Sequence, residues 1–188
     1  MKKILVGLLV LAALSGSVSA MDWTTYPDAI ADDFVSIHLG AGIGYVQYGD
    51  LVIPPLIASA DFNLPIGGLP FTLGGIFGIT ASKWEYAVGS YKATFDYTSM
   101  AIGARFGYHP NFGVKNLDAY ANVEFGYWGV QAKASSNVGG YTASGVGGTL
   151  YYGANIGAQY FFTKNIGAFA ELGYSALTFA RIGLAVKF

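Results

Sequence analysis

The sequence predicts an all-β fold, an eight-stranded antiparallel up-and-down transmembrane β-barrel, on three observations. Charged residues make up 11% of the 188 residues and apolar ones 53%, whereas a soluble domain carries about 25% charge to cover its surface. Beyond residue 20 no stretch is long and apolar enough for a transmembrane helix, which needs about 20 residues. The apolar residues instead alternate with small or polar ones through eight segments, the period of a strand whose two faces meet different surroundings.

The same composition excludes several classes of function. A net charge of −1 offers no basic surface for nucleic acid. The absence of cysteine removes disulfides, thiolate metal sites and an acylated N-terminal Cys. Two histidines leave little for a metal centre, and neither a metal nor a cofactor is expected.

Residues 1–20 read as a secretory signal peptide. Lys2 and Lys3 precede the apolar stretch 4–14, and Ser17-Val18-Ser19-Ala20 supplies small residues for cleavage near Ala20. Residues 21–33 break the alternation and carry four aspartates. They are expected to form a short periplasmic N-terminal arm, the alternative being a plug anchored in the lumen by Trp23 or Tyr26. The barrel is expected over 34–188.

The strands follow in order. Val35, Ile37, Leu39, Ala41, Ile43 and Tyr45 alternate with Ser36, His38 and glycines. Leu56, Ala58, Ala60, Phe62 and Leu64 alternate with Ile57, Ser59, Asp61 and Asn63. The third set is Phe71, Leu73, Gly75, Phe77 and Ile79, and the fourth is Met100, Ile102, Ala104, Phe106 and Tyr108 with Arg105 opposite. The fifth, Ala119, Ala121, Val123, Phe125 and Tyr127, faces away from Tyr120, Asn122, Glu124 and Trp128. The sixth runs from Tyr152 to Phe162, the seventh from Ile166 to Tyr174 opposite Phe169 and Glu171, and the eighth from Ala180 to Phe188 opposite Arg181 and Lys187. Short turns at 65–70 and 163–165 are expected on the periplasmic side, with a longer connection at 109–118. Gly-rich joints at 49–55, 85–93 and 133–148 are expected outside.

A lipocalin-like soluble barrel also alternates, but its outer face would be rich in Lys, Glu and Arg. Here the polar face is mostly Gly, Ala, Ser, Thr and Asn, which suits a cramped interior. The other face is apolar, so the barrel is predicted to point that face at lipid. Tyr45, Tyr108, Tyr127, Tyr160, Phe162 and Tyr174 lie toward strand ends, where an aromatic girdle would sit.

The inward charges Asp61, Arg105, Glu124, Glu171 and Arg181 form the expected lumen network. Unpaired they would be costly, and strand adjacency pairs Arg105 with Glu124 and Glu171 with Arg181. The reading favours interior salt bridges that fill and fix the barrel, since eight strands leave room only for side chains. Ser36 and His38 suggest a hydrolase pair, but side chains two apart on a strand stand roughly 6–7 Å apart, so His38 is expected to be a hydrogen-bonded lumen residue and no catalytic residue is assigned. His109 in Tyr-His-Pro-Asn reads as turn chemistry. Gly40-Ala-Gly-Ile-Gly44 lacks the strand-turn-helix setting of a nucleotide loop.

The C-terminal Ala180, Ile182, Leu184, Val186 and terminal Phe188 resemble the C-terminal signature of bacterial outer-membrane β-barrels, and the chain after about Asp33 resembles the small eight-stranded class represented by OmpX, OmpW and the OmpA barrel domain. The resemblance implies the outer membrane of a Gram-negative-type cell, outer-membrane lipid as surroundings, and periplasmic chaperones and the barrel assembly machinery as transient partners. No further domain is expected after Phe188, unlike the peptidoglycan-linked form. The class hosts several functions. The expectation is a structural or surface-interaction protein with a largely closed lumen, not an enzyme. A narrow channel for small or apolar solutes is the alternative, followed by a lipid-modifying enzyme.

Overall fold

A computed structural model describes residues 21–30, 35–44 and 49–188. The signal peptide expected at 1–20, residues 31–34 and the girdle residue Tyr45 lie outside the described residues. Eight strands follow: β1 (Val35–Gly44), β2 (Asp50–Asn63), β3 (Phe71–Val88), β4 (Tyr91–Tyr108), β5 (Leu117–Ser136), β6 (Thr142–Phe161), β7 (Ile166–Tyr174) and β8 (Thr178–Lys187). Each pairs antiparallel with its sequence neighbours, and β1 pairs with β8, so the sheet closes into a barrel. The closing seam places Ile37 beside Val186, Leu39 beside Leu184 and Ala41 beside Ile182. Phe188 extends it, its N–H donating to Val35 O at 3.1 Å.

The alternation resolves into two faces. Ser36, His38, Asp61, Arg105, Glu124, Glu171 and Arg181 are buried inside. Outside, Ile102 is 63% exposed, Ile182 67% and Leu184 55%. Rows of such side chains around the whole barrel far exceed the apolar patches of a water-soluble monomer, and only a bilayer satisfies them. No helix among the described residues is long and apolar enough to cross a membrane; strands do it.

Strand lengths divide the barrel into two zones. β1, β7 and β8 have 10, 9 and 10 residues, about what a tilted strand needs to span. β3 and β4 have 18 each, and β5 and β6 have 20 each. These four therefore stand well beyond the end of the barrel opposite the termini, with the start of β2 alongside. The expected joints are corrected accordingly. Pairing continues through Val88↔Tyr91 and Ser135↔Thr142, so most of 49–55, 85–93 and 133–148 is strand. Their Gly, Ser and Ala content imitates a loop, but the backbone groups are satisfied in the ladder, which matters more than composition. The β3–β4 turn needs only Gly89 and Ser90, with Gly89 at φ 59°, a left-handed conformation that glycine adopts without strain.

Residues 21–30 differ from the arm expected outside the barrel. Asp22 and Asn111 exchange backbone hydrogen bonds of 2.7 and 2.8 Å, and the Tyr108 hydroxyl donates to Trp23 O at 2.6 Å. This holds the segment on the rim beside the β4–β5 turn. It then crosses into the mouth, where Ala29 and Ile30 are buried against Phe161, Phe169 and Ala185, with Tyr26 packed alongside. Lys187 Nζ donates to Ala29 O and lies 4.5 Å from the centre of the Phe161 ring. The segment is thus a plug, but Ile30 fills the mouth while Trp23 stays 56% exposed. Burying Ile30 contributes about 2 kcal/mol, which outweighs leaving it in water among aspartates.

Candidate functional site

The lumen is stacked in three layers between the mouth that holds the chain's C-terminus and the projecting strands. Ile30, Phe161 and Phe169 form the first. The middle layer holds the charges. Arg105 and Glu124 face each other across β4 and β5, as Glu171 and Arg181 do across β7 and β8. The strongest contact of Arg105 nevertheless runs across the lumen: its Nη2 donates to Glu171 Oε1 at 2.8 Å, whereas Nη1 stands 4.0 Å from Glu124 Oε1. Arg181 joins both glutamates, with Nε on Glu171 Oε2 and Nη2 on Glu124 Oε1. Asp61 Oδ1 lies 3.4 Å from Arg105 Nε. A guanidinium carries five donors in a rigid fork, so each arginine can reach two strands where strand register alone would assign it one.

Neutral donors complete the carboxylates. The Tyr120 hydroxyl donates to Glu171 Oε1 at 2.8 Å, Ser175 Oγ to Glu124 Oε2 at 2.7 Å, and Asn155 Nδ2 to Glu124 Oε1 at 3.2 Å. Among the described residues no group of three or more His, Asp or Glu is placed to hold a metal ion; the lone pairs of Glu124 and Glu171 already accept hydrogen bonds. Buried charges tolerate this layer only because nearly every oxygen is partnered.

Sequence reasoning missed the extension of this network toward the mouth. His109 was expected in a turn and Asp118 in a connection. Both are buried, and His109 Nδ1 lies 2.9 Å from Asp118 Oδ2 while Nε2 lies 3.1 Å from Thr72 Oγ1. The usable signal was parity: Asp118 shares a face with Tyr120, Asn122 and Glu124, one step before the strand was begun. Gln159 Nε2 donates to Asp118 Oδ2 at 2.6 Å, which turns Gln159 Oε1 toward His38 Nε2 at 2.8 Å. Hydrogen bonds therefore connect His109, Asp118, Gln159 and His38, and His38 Nδ1 lies 3.4 Å from Asp61 Oδ2.

The same chain of hydrogen bonds decides what Ser36 can do. Its Oγ lies 3.2 Å from His38 Nε2, closer than the roughly 6–7 Å spacing of parallel side chains two apart on a strand. But a carboxylate only accepts, so Gln159 presents its amide N–H to Asp118 and its oxygen to His38. Nε2 must then carry a proton and has no lone pair to take one from Ser36.

The third layer is apolar. Leu177, from the β7–β8 turn, folds inward onto Ile57, Ile76, Ala101 and Tyr151, with Trp128 beside them. Above it the projecting strands β3–β6 reverse the barrel's pattern. Their charged residues at 81–98 and 129–149 are Lys83, Glu85, Lys92, Asp96 and Lys133, and all share the outer face, continuous with Phe77, Ile102 and Tyr127 in the cross-strand register. Lys83 Nζ and Glu85 Oε1 pair there at 2.6 Å, which holds the Glu85 carboxyl below and the Lys83 ammonium above their usual ranges. The inner face carries Trp84, Tyr86, Tyr91, Phe95 and Tyr97. Trp84 stacks on Phe95 at 5.1 Å between centroids, and Tyr86 lies 6.2 Å from Trp84 and 6.4 Å from Tyr91.

The remaining girdle residues sit on the outer wall. Tyr160 and Phe162 lie at the mouth end with Tyr108, and Tyr127 and Tyr174 lie further out. All but the half-buried Tyr108 are exposed. Tyr152, not counted in the expected girdle, packs 6.1 Å from Tyr174. Ala180, Ile182, Leu184, Val186 and Phe188 line the outer side of the closing seam.

No family model and no curated protein matches the chain. Solved structures do. A major outer membrane protein from Thermus thermophilus superposes with a TM-score of 0.62 at 13% identity, over 84% of this chain and 100% of the other. Ail, the attachment invasion locus protein of Yersinia pestis, gives 0.51 at 16% identity over 84% and 100%. Its complex with the heparin analogue sucrose octasulfate gives 0.50 at 16% identity over 83% and 97%. The chain has the all-β, closed, eight-stranded fold of small outer-membrane β-barrels.

Proposed function

We propose that this chain is an integral outer-membrane protein with a closed lumen, acting through the surface that its long strands hold outside the bilayer. The single observation that carries the reading is the packing along the barrel axis: Ile30 at the mouth, the Arg105–Glu171–Arg181–Glu124 network in the middle, and Leu177 above. A solute would have to displace all three layers, and breaking the middle one leaves charges unpaired at a cost of several kcal/mol. That weighs against the narrow channel. The proton on His38 Nε2 weighs against a Ser36-based lipid hydrolase.

The proposal keeps the expected route: removal of the leader near Ala20, escort by periplasmic chaperones, and recognition of Ala180, Ile182, Leu184, Val186 and Phe188 by the barrel assembly machinery. The exposed ends of β3–β6 then carry the contacts. Refolded protein in planar bilayers tests the closed lumen. The expected record is flat, with neither steady unit conductance nor a change when Arg105 or Arg181 is replaced. Regular conductance steps that alter with those replacements would favour the channel.

A further inference from the structure

We propose that a furrow on the outer wall of β5–β7 holds one phospholipid by an acyl chain, at a site separate from the lumen and independent of whether the lumen conducts. The furrow begins at the rim, where the plug segment is fastened. Asp22 pairs with Asn111, and Trp23 O accepts the Tyr108 hydroxyl. The segment therefore straddles the rim, with Ile30 inside the mouth and the Trp23 ring on the outer wall. There Trp23, Pro110 and Phe112 border a cavity of about 620 Å³ over Ala119, Ala158 and Ala170. A second cavity of about 660 Å³ reaches on to Val123 and Ala154. The two share Tyr108, Ala121, Ile156 and Leu172, so they form one furrow along the wall.

Register sets the floor. Ala119, Ala158 and Ala170 are cross-strand neighbours on three successive strands, and the row ends against the larger Ile182 of β8. From Ala119 to Val123, β5 runs about 14 Å, close to the roughly 15 Å hydrocarbon depth of one leaflet. The wall around the furrow faces lipid, so its occupant is apolar there. Shape then selects a chain. A second barrel would present a convex wall, which Trp23 and Phe112 would hold off at the rim, whereas a flexible chain can pass beside the rings and lie in the hollow. A Trp ring at the end of a lipid-facing wall belongs at headgroup level, which puts the head of the lipid at the rim. The chemistry there suits a phosphate. The β4–β5 and β6–β7 turns beside the furrow carry the exposed Lys115 and Lys164, while the 64–70 turn across the mouth carries no charge. The Asp22 carboxylate is already turned onto Thr24, accepting from its N–H at 2.8 Å and its hydroxyl at 2.7 Å. Asp28 lies beyond Tyr26, whose hydroxyl donates to Phe71 O on β3 at 2.6 Å, away from the furrow.

Native mass spectrometry of the refolded protein in detergent tests the site, with phosphatidylglycerol, phosphatidylethanolamine and diacylglycerol of the same acyl chains as probes. Saturable binding of one phospholipid per monomer is expected, with diacylglycerol held about tenfold more weakly. Ala158→Leu and Ala170→Leu fill the furrow with atoms that lipid tolerates, and each should weaken phospholipid binding about tenfold, the equivalent of about two buried methylenes lost. Trp23→Ala should weaken it likewise. Lys115→Ala with Lys164→Ala should remove the preference over diacylglycerol. Ala41→Leu, in the same row of the wall but two strands past the furrow, should change nothing. Retention of the cold-SDS gel shift shows that each variant still folds. The proposal is overturned by the absence of saturable phospholipid binding, by binding unchanged in both furrow leucines, by an equal loss in Ala41→Leu, or by diacylglycerol bound as tightly as phospholipid. A dimer that the furrow leucines dissociate would assign the hollow to a second copy of the chain and overturn it as well.

Discussion

Arg181 concentrates the energetics of the lumen in one side chain. It is buried and bound to Glu171 and Glu124 at once. Arg181→Met strands two carboxylates and should cost about 3–5 kcal/mol in urea unfolding of the refolded barrel. Adding Glu171→Gln to it should cost much less than the sum of the single changes, because the second change removes the charge that the first orphaned. Equal, additive losses would mean that the network contributes little. Glycines give a second residue-scale test. At Gly40 a Cβ would come within 2.5 Å of Ile182 O and 2.8 Å of Phe169 Cζ, while at the outward Gly75 it would meet only Gly103 O at 3.8 Å. Gly40→Ala should destabilise by about 1–3 kcal/mol, and Gly75→Ala should be neutral or slightly stabilising. The identities of the charged lumen residues were legible in the sequence because parity alone put Asp61, Arg105, Glu124, Glu171 and Arg181 inside. The Glu171–Arg181 pair was legible too, from strand adjacency; the contacts across the lumen were not, because long side chains from strands that do not touch meet there, as Arg105 and Glu171 do.

Among the elements, the short strands were the most readable. β7 and β8 alternate cleanly from end to end because each lies between lumen and lipid throughout its length. β5 and β6 were read too short. Past Tyr127 the outer solvent changes from lipid to water, so Lys133 replaces the apolar residues outside while Ala132 and Ala134 face inward, and period-two alternation no longer signals the same faces. The plug was legible only as the alternative to an arm, for a different reason: residues 21–30 form no strand, so no alternation places Tyr26, Ala29 and Ile30 in the mouth. The change of solvent along β3–β6 predicts a sharp difference between two lysine substitutions. Ile102→Lys, on the lipid face, should cost about 2–4 kcal/mol. Val138→Lys, at the β5–β6 tip, should stay within about 0.5 kcal/mol. Equal tolerance at both sites in the same urea titration would place Ile102 in water.

At the scale of the whole molecule, one chain presents three surroundings: lipid at the barrel wall, a salt-bridged interior, and water around a sheet that turns its rings inward. The scarcity of charge and the abundance of Gly, Tyr and Phe express this division. Charge is kept to the lumen, the rims and the outer faces of the long strands, glycine makes room where side chains from other strands cross, and rings mark the girdle and the inner face of the projecting strands. The chain contains no cysteine, so single thiols can report each surrounding separately. Ile102→Cys, Ser59→Cys and Val138→Cys, placed in proteoliposomes, should be challenged from both sides with a membrane-impermeant maleimide. Labelling of Val138→Cys alone is the predicted result, with Ile102→Cys shielded by lipid and Ser59→Cys by the packed lumen. Rapid labelling of Ser59→Cys from either side, in protein that keeps its folded gel mobility, would contradict the sealed barrel.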